Sequence, residues 1–286
     1  PRRDDDLSFM LQLSANGLRL VPSHLAANFS FHSQLPSRGA RQPSLKAIPV
    51  LDPDGTYLTF TLSDGDQLMM MSTGELGSWY SPLRGSVPFN WETQPLLAEI
   101  APALLEKYLS SATPNDCLIA GPSGAGYIVP PLAPRLERYM DDTVRVCAQS
   151  GINVITTYVA DPPARMLDVL ARHSGALTGF LAGYAVVNRA PIHLLCGTPL
   201  VANSLPTVPQ IWLGAEELLA EVRKEISRPM PRPRFIGVHL FAYRTTYEDV
   251  VKFVESLDDA HVHVVRGDEF LLLAREHLQK ISSKGE

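Results

Sequence analysis

The sequence predicts an α/β fold: a seven-stranded parallel sheet rolled into a barrel-like (β/α) shape, with helices outside it. Three observations predict it. Short β-branched or aromatic runs alternate with longer stretches whose apolar residues recur every three to four positions, the pattern of parallel strands joined by helical crossovers. Seven such strand runs follow residue 50. Hydrophobic residues make up 45% of the 286, enough for a sizeable core. An open doubly wound sheet is the alternative that the same rhythm allows.

Residues 1–50 stand apart, rich in Ser, Asn, Arg and Pro, with short apolar pieces such as Leu18-Arg19-Leu20-Val21. They read as the end of a preceding domain or a linker that runs over the surface of the main domain, residues 51–286. The chain opens Pro1-Arg2-Arg3 rather than at a Met, with no apolar leader stretch, and so reads as a fragment of a longer precursor.

The first strand is Tyr57 to Leu62, β-branched and aromatic. Residues 94–110 space Leu97, Ile100, Ala101, Leu104, Leu105 and Tyr108 as a helix does. Leu118 to Ala120 is the second strand, stopped by Gly121-Pro122. A helix over 133–149 ends at Gly151. Val154 to Val159 is the third strand, and Asp161-Pro162 starts a helix that runs to Arg172. Strands follow near 177–181 and 192–196, then a helix over 216–226, a strand from Phe235 to Leu240, a helix over 247–257, a strand from Val262 to Val265 and a last helix over 269–281. The proline-rich 229–233 is a stiff connection.

Composition excludes several functions. The net charge of −5 and the absence of a basic stripe exclude nucleic acid as a partner. No run of 18 apolar residues offers a membrane-spanning helix. Cys117, Cys147 and Cys196 match no zinc spacing, and Cys117 and Cys196 read as buried thiols in apolar runs. The loop Gly121-Pro122-Ser123-Gly124-Ala125-Gly126 lacks the Lys-Ser/Thr of a phosphate loop and the third glycine of a dinucleotide fingerprint, so no cofactor is expected. Nor does it have the spacing of a nucleophile elbow, which leaves Ser123 a poor nucleophile.

Ligands of parallel α/β folds bind at the carboxyl ends of the strands. By that rule the candidates are Asp64 and Asp66 after the first strand, the loop Ser123, Gly124, Gly126 and Tyr127 after the second, and Tyr158 on the third. His239 lies within a later strand, and Asp268 follows the last. Asp64 and Asp66 flank Gly65; two carboxylates so close repel, and the pair needs water, a cation or a shared proton. The same three residues also suit a solvated turn. His239 equally suits a hydrogen-bonded core position. His261 and His263 share one face of the last strand but have no third metal ligand nearby in sequence, so no metal is expected. Trp79, Tyr80, Trp91 and Tyr127 are expected in loops. There, aromatic rings stack on sugar faces while carboxylates take hydroxyls, or they simply anchor the loops.

The run Gly124-Ala125-Gly126-Tyr127-Ile128-Val129-Pro130 resembles the signature of the GxGYxYP glycoside hydrolases, in their C-terminal domain. Thr59 to Asp66, Thr113 to Asp116, Gly121 to Gly124, Gly237 to Tyr243 and Val265 to Phe270 are similar to further runs of that family, and together they cover residues 50–275. Val129 stands where the family has its second tyrosine, and Gln67 where it has an asparagine after the carboxylate pair. The resemblance implies hydrolysis of a poly- or oligosaccharide outside the cytoplasm, secreted or periplasmic. It implies Asp64, Asp66 and Asp268 as site carboxylates; hydrolysis needs two facing carboxyl groups, and Asp66 with Asp268 is the expected pair. Gly124, Gly126, Tyr127, His239 and Trp91 would hold a carbohydrate by that resemblance, with Ser123 and Tyr158 added by their places at strand ends. A polysaccharide deacetylase and a non-catalytic carbohydrate-binding module are the alternatives.

Overall fold

A computed structural model describes residues 4–21, 28–45, 47, 49–63, 78–157, 164–182, 193–195, 197–202 and 213–283. Its strands are β1 (Thr56–Ser63), β2 (Phe89–Thr93), β3 (Asp116–Ala120), β4 (Val154–Thr157), β5 (Gly179–Ala182), β6 (His193–Leu195), β7 (Thr198–Ala202), β8 (Arg234–Phe241) and β9 (Val262–Val264). They form one sheet in the order β6-β7-β5-β4-β3-β2-β1-β8, nearly closed into a barrel, with β9 paired to the start of β1. All pairs are parallel except β6 with β7.

The α/β barrel-like architecture is as expected, and the parallel run from β7 to β8 does contain seven strands. Their membership differs. The expected count included β6 and β9 and missed β2 and β7. In β2, Phe89-Asn90-Trp91-Glu92-Thr93, all five residues are buried. Polar Asn90 and Glu92 look toward a covered inner face, so the strand lacks the water-facing side that marks a strand in sequence. In β7, Pro199 interrupts the apolar run.

The helices are α1 (Asp4–Ala15), α2 (Phe29–His32), α3 (Leu97–Ile100), α4 (Pro102–Ser111), α5 (Leu136–Ser150), α6 (Ala164–His173), α7 (Ala215–Ile226), α8 (Tyr247–Glu255) and α9 (Gly267–Ser282). The single helix expected over 94–110 is two, because Pro102 cannot donate a backbone hydrogen bond and takes the first position of α4 instead. Gly151 ends α5 in the left-handed conformation at φ 74°, as predicted. Thr246 and Asp249 form a reciprocal capping box that starts α8 immediately after β8. Among the described residues no helix is long and apolar enough to cross a membrane.

The two faces of the sheet bury different clusters. Leu58, Phe60, Leu62, Phe89, Trp91, Leu118, Ala120, Ile155, Ile236, Val238 and Leu240 pack outward beneath α3, α4, α5, α6, α7 and α8. Tyr57, Cys117, Ile119, Val154, Leu181 and Phe235 face inward against Phe270, Leu271, Leu273 and Ala274 of α9. Each such side chain removed from water contributes roughly 1.5–3 kcal/mol. α9 lies across the inner face near the amino ends of the strands: Arg275 donates to the carbonyl of Thr178, just before β5, and Phe235, near the start of β8, meets Phe270 edge-on.

The N-terminal segment is built into this unit. Ser14 of α1 accepts from Val129 N at 2.8 Å, Leu20 pairs with Tyr127, and Gln42 Oε1 accepts from Leu118 N at 2.6 Å.

Candidate functional site

Side chains alternate along a strand, and residues in register on parallel strands share a face. Tyr57, Thr59 and Thr61 of β1 stand in register with Phe235, Gly237 and His239 of β8. Asn90 and Glu92 of β2 turn the same way, as do Cys117 and Ile119 of β3 and Val154 and Thr156 of β4. The inner face therefore changes character along the barrel axis. Its amino-terminal half is apolar and covered by α9. Its carboxyl-terminal half carries Thr61, Glu92, Thr156 and His239, all buried.

Asn90 marks the boundary. Its amide nitrogen donates to Thr59 Oγ1 at 2.7 Å and to Thr61 Oγ1 at 3.2 Å, and its oxygen accepts from Gly267 N, at the start of α9, at 2.6 Å. One amide thus locks β1 to β2 and fixes where α9 begins.

Above it, Thr156 Oγ1 donates to Glu92 Oε1 across the end of β3. Gly121, the residue following β3, makes this possible. A Cβ there would lie 2.6 Å from Glu92 Cδ and would collide with Thr156 Oγ1. Glu92 is 2% exposed. A buried carboxyl held by a hydroxyl at a strand's carboxyl end can give or accept a proton in a site shielded from water. His239 is also buried, and desolvation holds its imidazole down to about 4, so it is neutral at neutral pH. A neutral imidazole can both donate and accept a hydrogen bond.

The glycine loop after β3 is tightly held. Ala125 N donates to Thr143 Oγ1 at 3.0 Å, Gly126 N to Gln94 Oε1 at 2.8 Å and Tyr127 N to Leu20 O at 2.6 Å. The carbonyl of Gly126 accepts from Tyr139 of α5 at 2.7 Å, and that of Ala125 from Arg19 at 3.0 Å. Gly124 (φ 139°) and Gly126 (φ 90°) would each drive a Cβ into a neighbour, Thr143 and Arg19 respectively. The Ser123 hydroxyl donates to Ile128 O at 3.3 Å within the same loop.

Residues 54–275 match the family model described as "GxGYxYP putative glycoside hydrolase C-terminal domain". The chain belongs to this family. No curated protein matches the chain. A crystal structure of a putative hydrolase from Bacteroides thetaiotaomicron VPI-5482 superposes on the GxGYxYP domain with a TM-score of 0.81 at 21% identity, over 96% of this chain and 56% of that one. At that identity the likeness is one of fold. The chain spans little more than half of the solved protein's length.

Within the GxGYxYP domain several expected site residues take other places. Trp91 is not in a loop. It lies on β2 facing outward, 1% exposed, stacked on Tyr247 and donating from Nε1 to Asp116 Oδ1 at 2.9 Å. It cannot stack on a sugar because its faces are already covered. Trp79 is buried edge-on against Trp91 and Tyr108.

Asp268 is placed at the opposite end from Glu92. Because β9 pairs only with Thr56 to Leu58, the chain leaves it low in the barrel. Asp268 is then clasped by Arg266 (Nη2 to Oδ2, 2.7 Å), which also donates to the carbonyls of Pro114, before β3, and Pro43. It is part of a buried ion pair near the amino ends of the strands.

The amides of Ala125, Gly126 and Tyr127 are spent within the protein rather than offered to a ligand, so Gly124, Gly126 and the Tyr127 backbone shape the loop. Asp64, Asp66 and Tyr158 lie outside the described residues, as does Cys196. Cys117 is buried, and its thiol is pushed far up by desolvation.

His261 and His263 do find a carboxylate. Asp52 Oδ2 contacts His261 Nδ1 at 3.2 Å and His263 Nε2 at 3.1 Å. Among the described residues no group of three or more His, Cys, Asp or Glu side chains is arranged to hold a metal ion.

Neither Glu92 nor Thr156 is among the candidates that the sequence singles out. For Glu92 the available signal was a lone carboxylate in the run Phe89-Asn90-Trp91-Glu92-Thr93, with polar residues at alternate positions.

Proposed function

We propose that this domain hydrolyses glycosidic bonds of a poly- or oligosaccharide, with Glu92 as one of its two catalytic carboxyl groups. The observation that carries the reading is the buried Glu92 carboxyl at the carboxyl end of β2, on the polar half of the inner face. β1 is the hydrogen-bonded neighbour of β2, and Asp64 and Asp66 follow it in sequence. Glycoside hydrolysis needs two carboxyl groups: one protonates the leaving oxygen while the other attacks the anomeric carbon or activates water, and Asp64 or Asp66 is the candidate for the second. The buried, neutral His239 on the other neighbour of β1 suits a sugar hydroxyl. Membership of the GxGYxYP family, whose model is described as a putative glycoside hydrolase domain, supports the same reaction class.

The test is release of sugars, read by mass, from a panel of plant, algal and bacterial glycans by the wild type, Glu92→Gln and Asp66→Asn. Glu92→Gln should lower the rate by about 10²–10⁴-fold, with the circular dichroism spectrum kept. Full activity in Glu92→Gln would remove Glu92 from the mechanism. Loss of acetate without shortened chains would point to deacetylation, and tight sugar binding without turnover to a binding module.

A further inference from the structure

We propose that Thr156 is a positioning residue that holds Glu92 Oε1 in both protonation states of the carboxyl, leaving Oε2 to donate a proton to the leaving oxygen and later take one back. This rests on the reading of Glu92 as catalytic. Thr156 Oγ1 lies between two acceptors, Glu92 Oε1 on one side and the carbonyl of Ala120 on the other, at 3.4 Å. A hydroxyl has one hydrogen to donate and lone pairs to accept with. When Glu92 is ionised, Thr156 donates to it. When Glu92 is protonated on its other oxygen, Oε2, Thr156 still donates to Oε1, which leaves the acid hydrogen to face the leaving oxygen. The heavy atoms stay in place in both states.

This arrangement matches the proton traffic. In the first step the Glu92 acid proton passes to the glycosidic oxygen as the bond from that oxygen to the anomeric carbon breaks. The bonding pair leaves with the oxygen, the sugar is left oxocarbenium-like at its anomeric carbon, and Glu92 becomes a carboxylate that accepts from Thr156. In the second, water adds its oxygen to the anomeric carbon and gives a proton to Glu92, which restores the acid. Gly121 belongs to the same device, since any side chain there would occupy the space where Glu92 and Thr156 meet.

Thr156→Val replaces the hydroxyl by a methyl of similar size, and Thr156→Ser keeps it. Both are to be assayed on dinitrophenyl glycosides, whose leaving group departs without a proton, and on the matching methyl glycosides, whose leaving group needs one. The expected result is a loss of about 10–100-fold in kcat/KM for Thr156→Val on methyl glycosides. On dinitrophenyl glycosides the change should be small, and Thr156→Ser should recover most of the loss. Equal losses on both substrates, or no recovery in Thr156→Ser, would overturn the proposal while leaving the hydrolase reading intact. Hydrolysis that survives Glu92→Gln would overturn both. A second readout needs no substrate: crystal structures of Thr156→Val and Gly121→Ala should show the Glu92 carboxyl displaced, and a carboxyl unmoved in both would also overturn the proposal.

Discussion

Arg266 and Asp268 form a two-pronged ion pair, Nε to Oδ1 at 3.1 Å and Nη2 to Oδ2 at 2.7 Å, with side chains 3% and 8% exposed. Two residues apart in sequence, they close the bottom of the barrel, because the same guanidinium ties down the carbonyls of Pro43 and Pro114. Asp268→Asn leaves that guanidinium buried beside a neutral partner. We expect a loss of about 3 kcal/mol in urea denaturation. A loss below about 1 kcal/mol, or a selective effect on turnover without one on stability, would return Asp268 to the active site.

Trp91 supports the outer core rather than a ligand. Trp91→Phe keeps the ring packing but removes the donor to Asp116, a fully buried carboxylate that also accepts from Arg84 and from Thr113 N. The expected cost is about 1–3 kcal/mol of stability, with sugar affinity unchanged by calorimetry. Weakened binding at full stability would contradict this placement.

The signature loop answers to packing. At φ 139° Gly124 adopts a conformation that side chains avoid, and its Cβ would press on Thr143 Cγ2. Gly124→Ala is expected to lower stability by about 1–3 kcal/mol. In Gly124→Ala with Thr143→Ser, where the methyl is gone, part of that loss should return. Full stability in the single variant would show that the loop has room to spare.

His239 makes the fold sensitive to acid. Its folded value of about 4 lies below its ordinary 6.5, so the unfolded chain takes up a proton first as pH falls. The contribution is complete above about 6.5, declines through the window from there to about 4, and amounts at most to about 3 kcal/mol. Urea midpoints at pH 7 and pH 4.5 should therefore differ less in His239→Gln than in the wild type. An equal difference in both proteins would mean that other groups carry the acid sensitivity.

Much of this architecture is legible locally. The β-branched run of β1, the 3.6-residue rhythm of α5 with Gly151 at its end, and the strand–helix alternation around them depend on neighbours in sequence, and so did the family resemblance carried by Gly124 to Pro130. β2 was not legible, since Asn90 and Glu92 look like loop residues until the inner face they share with Thr59, Thr61 and Thr156 is known.

The sequence by itself determined the fold class, the order of most elements and the family. The tertiary structure decided which polar residues meet. Local periodicity sets which face of a strand a side chain takes, but not which strand lies beside it or at what height. Register with β1 placed β9, and with it Asp268, at the amino end of the barrel. The absence of a side chain at Gly121 let Glu92 of β2 reach Thr156 of β4 across an intervening strand, a contact between residues 64 positions apart that exists only once β2, β3 and β4 pair in register.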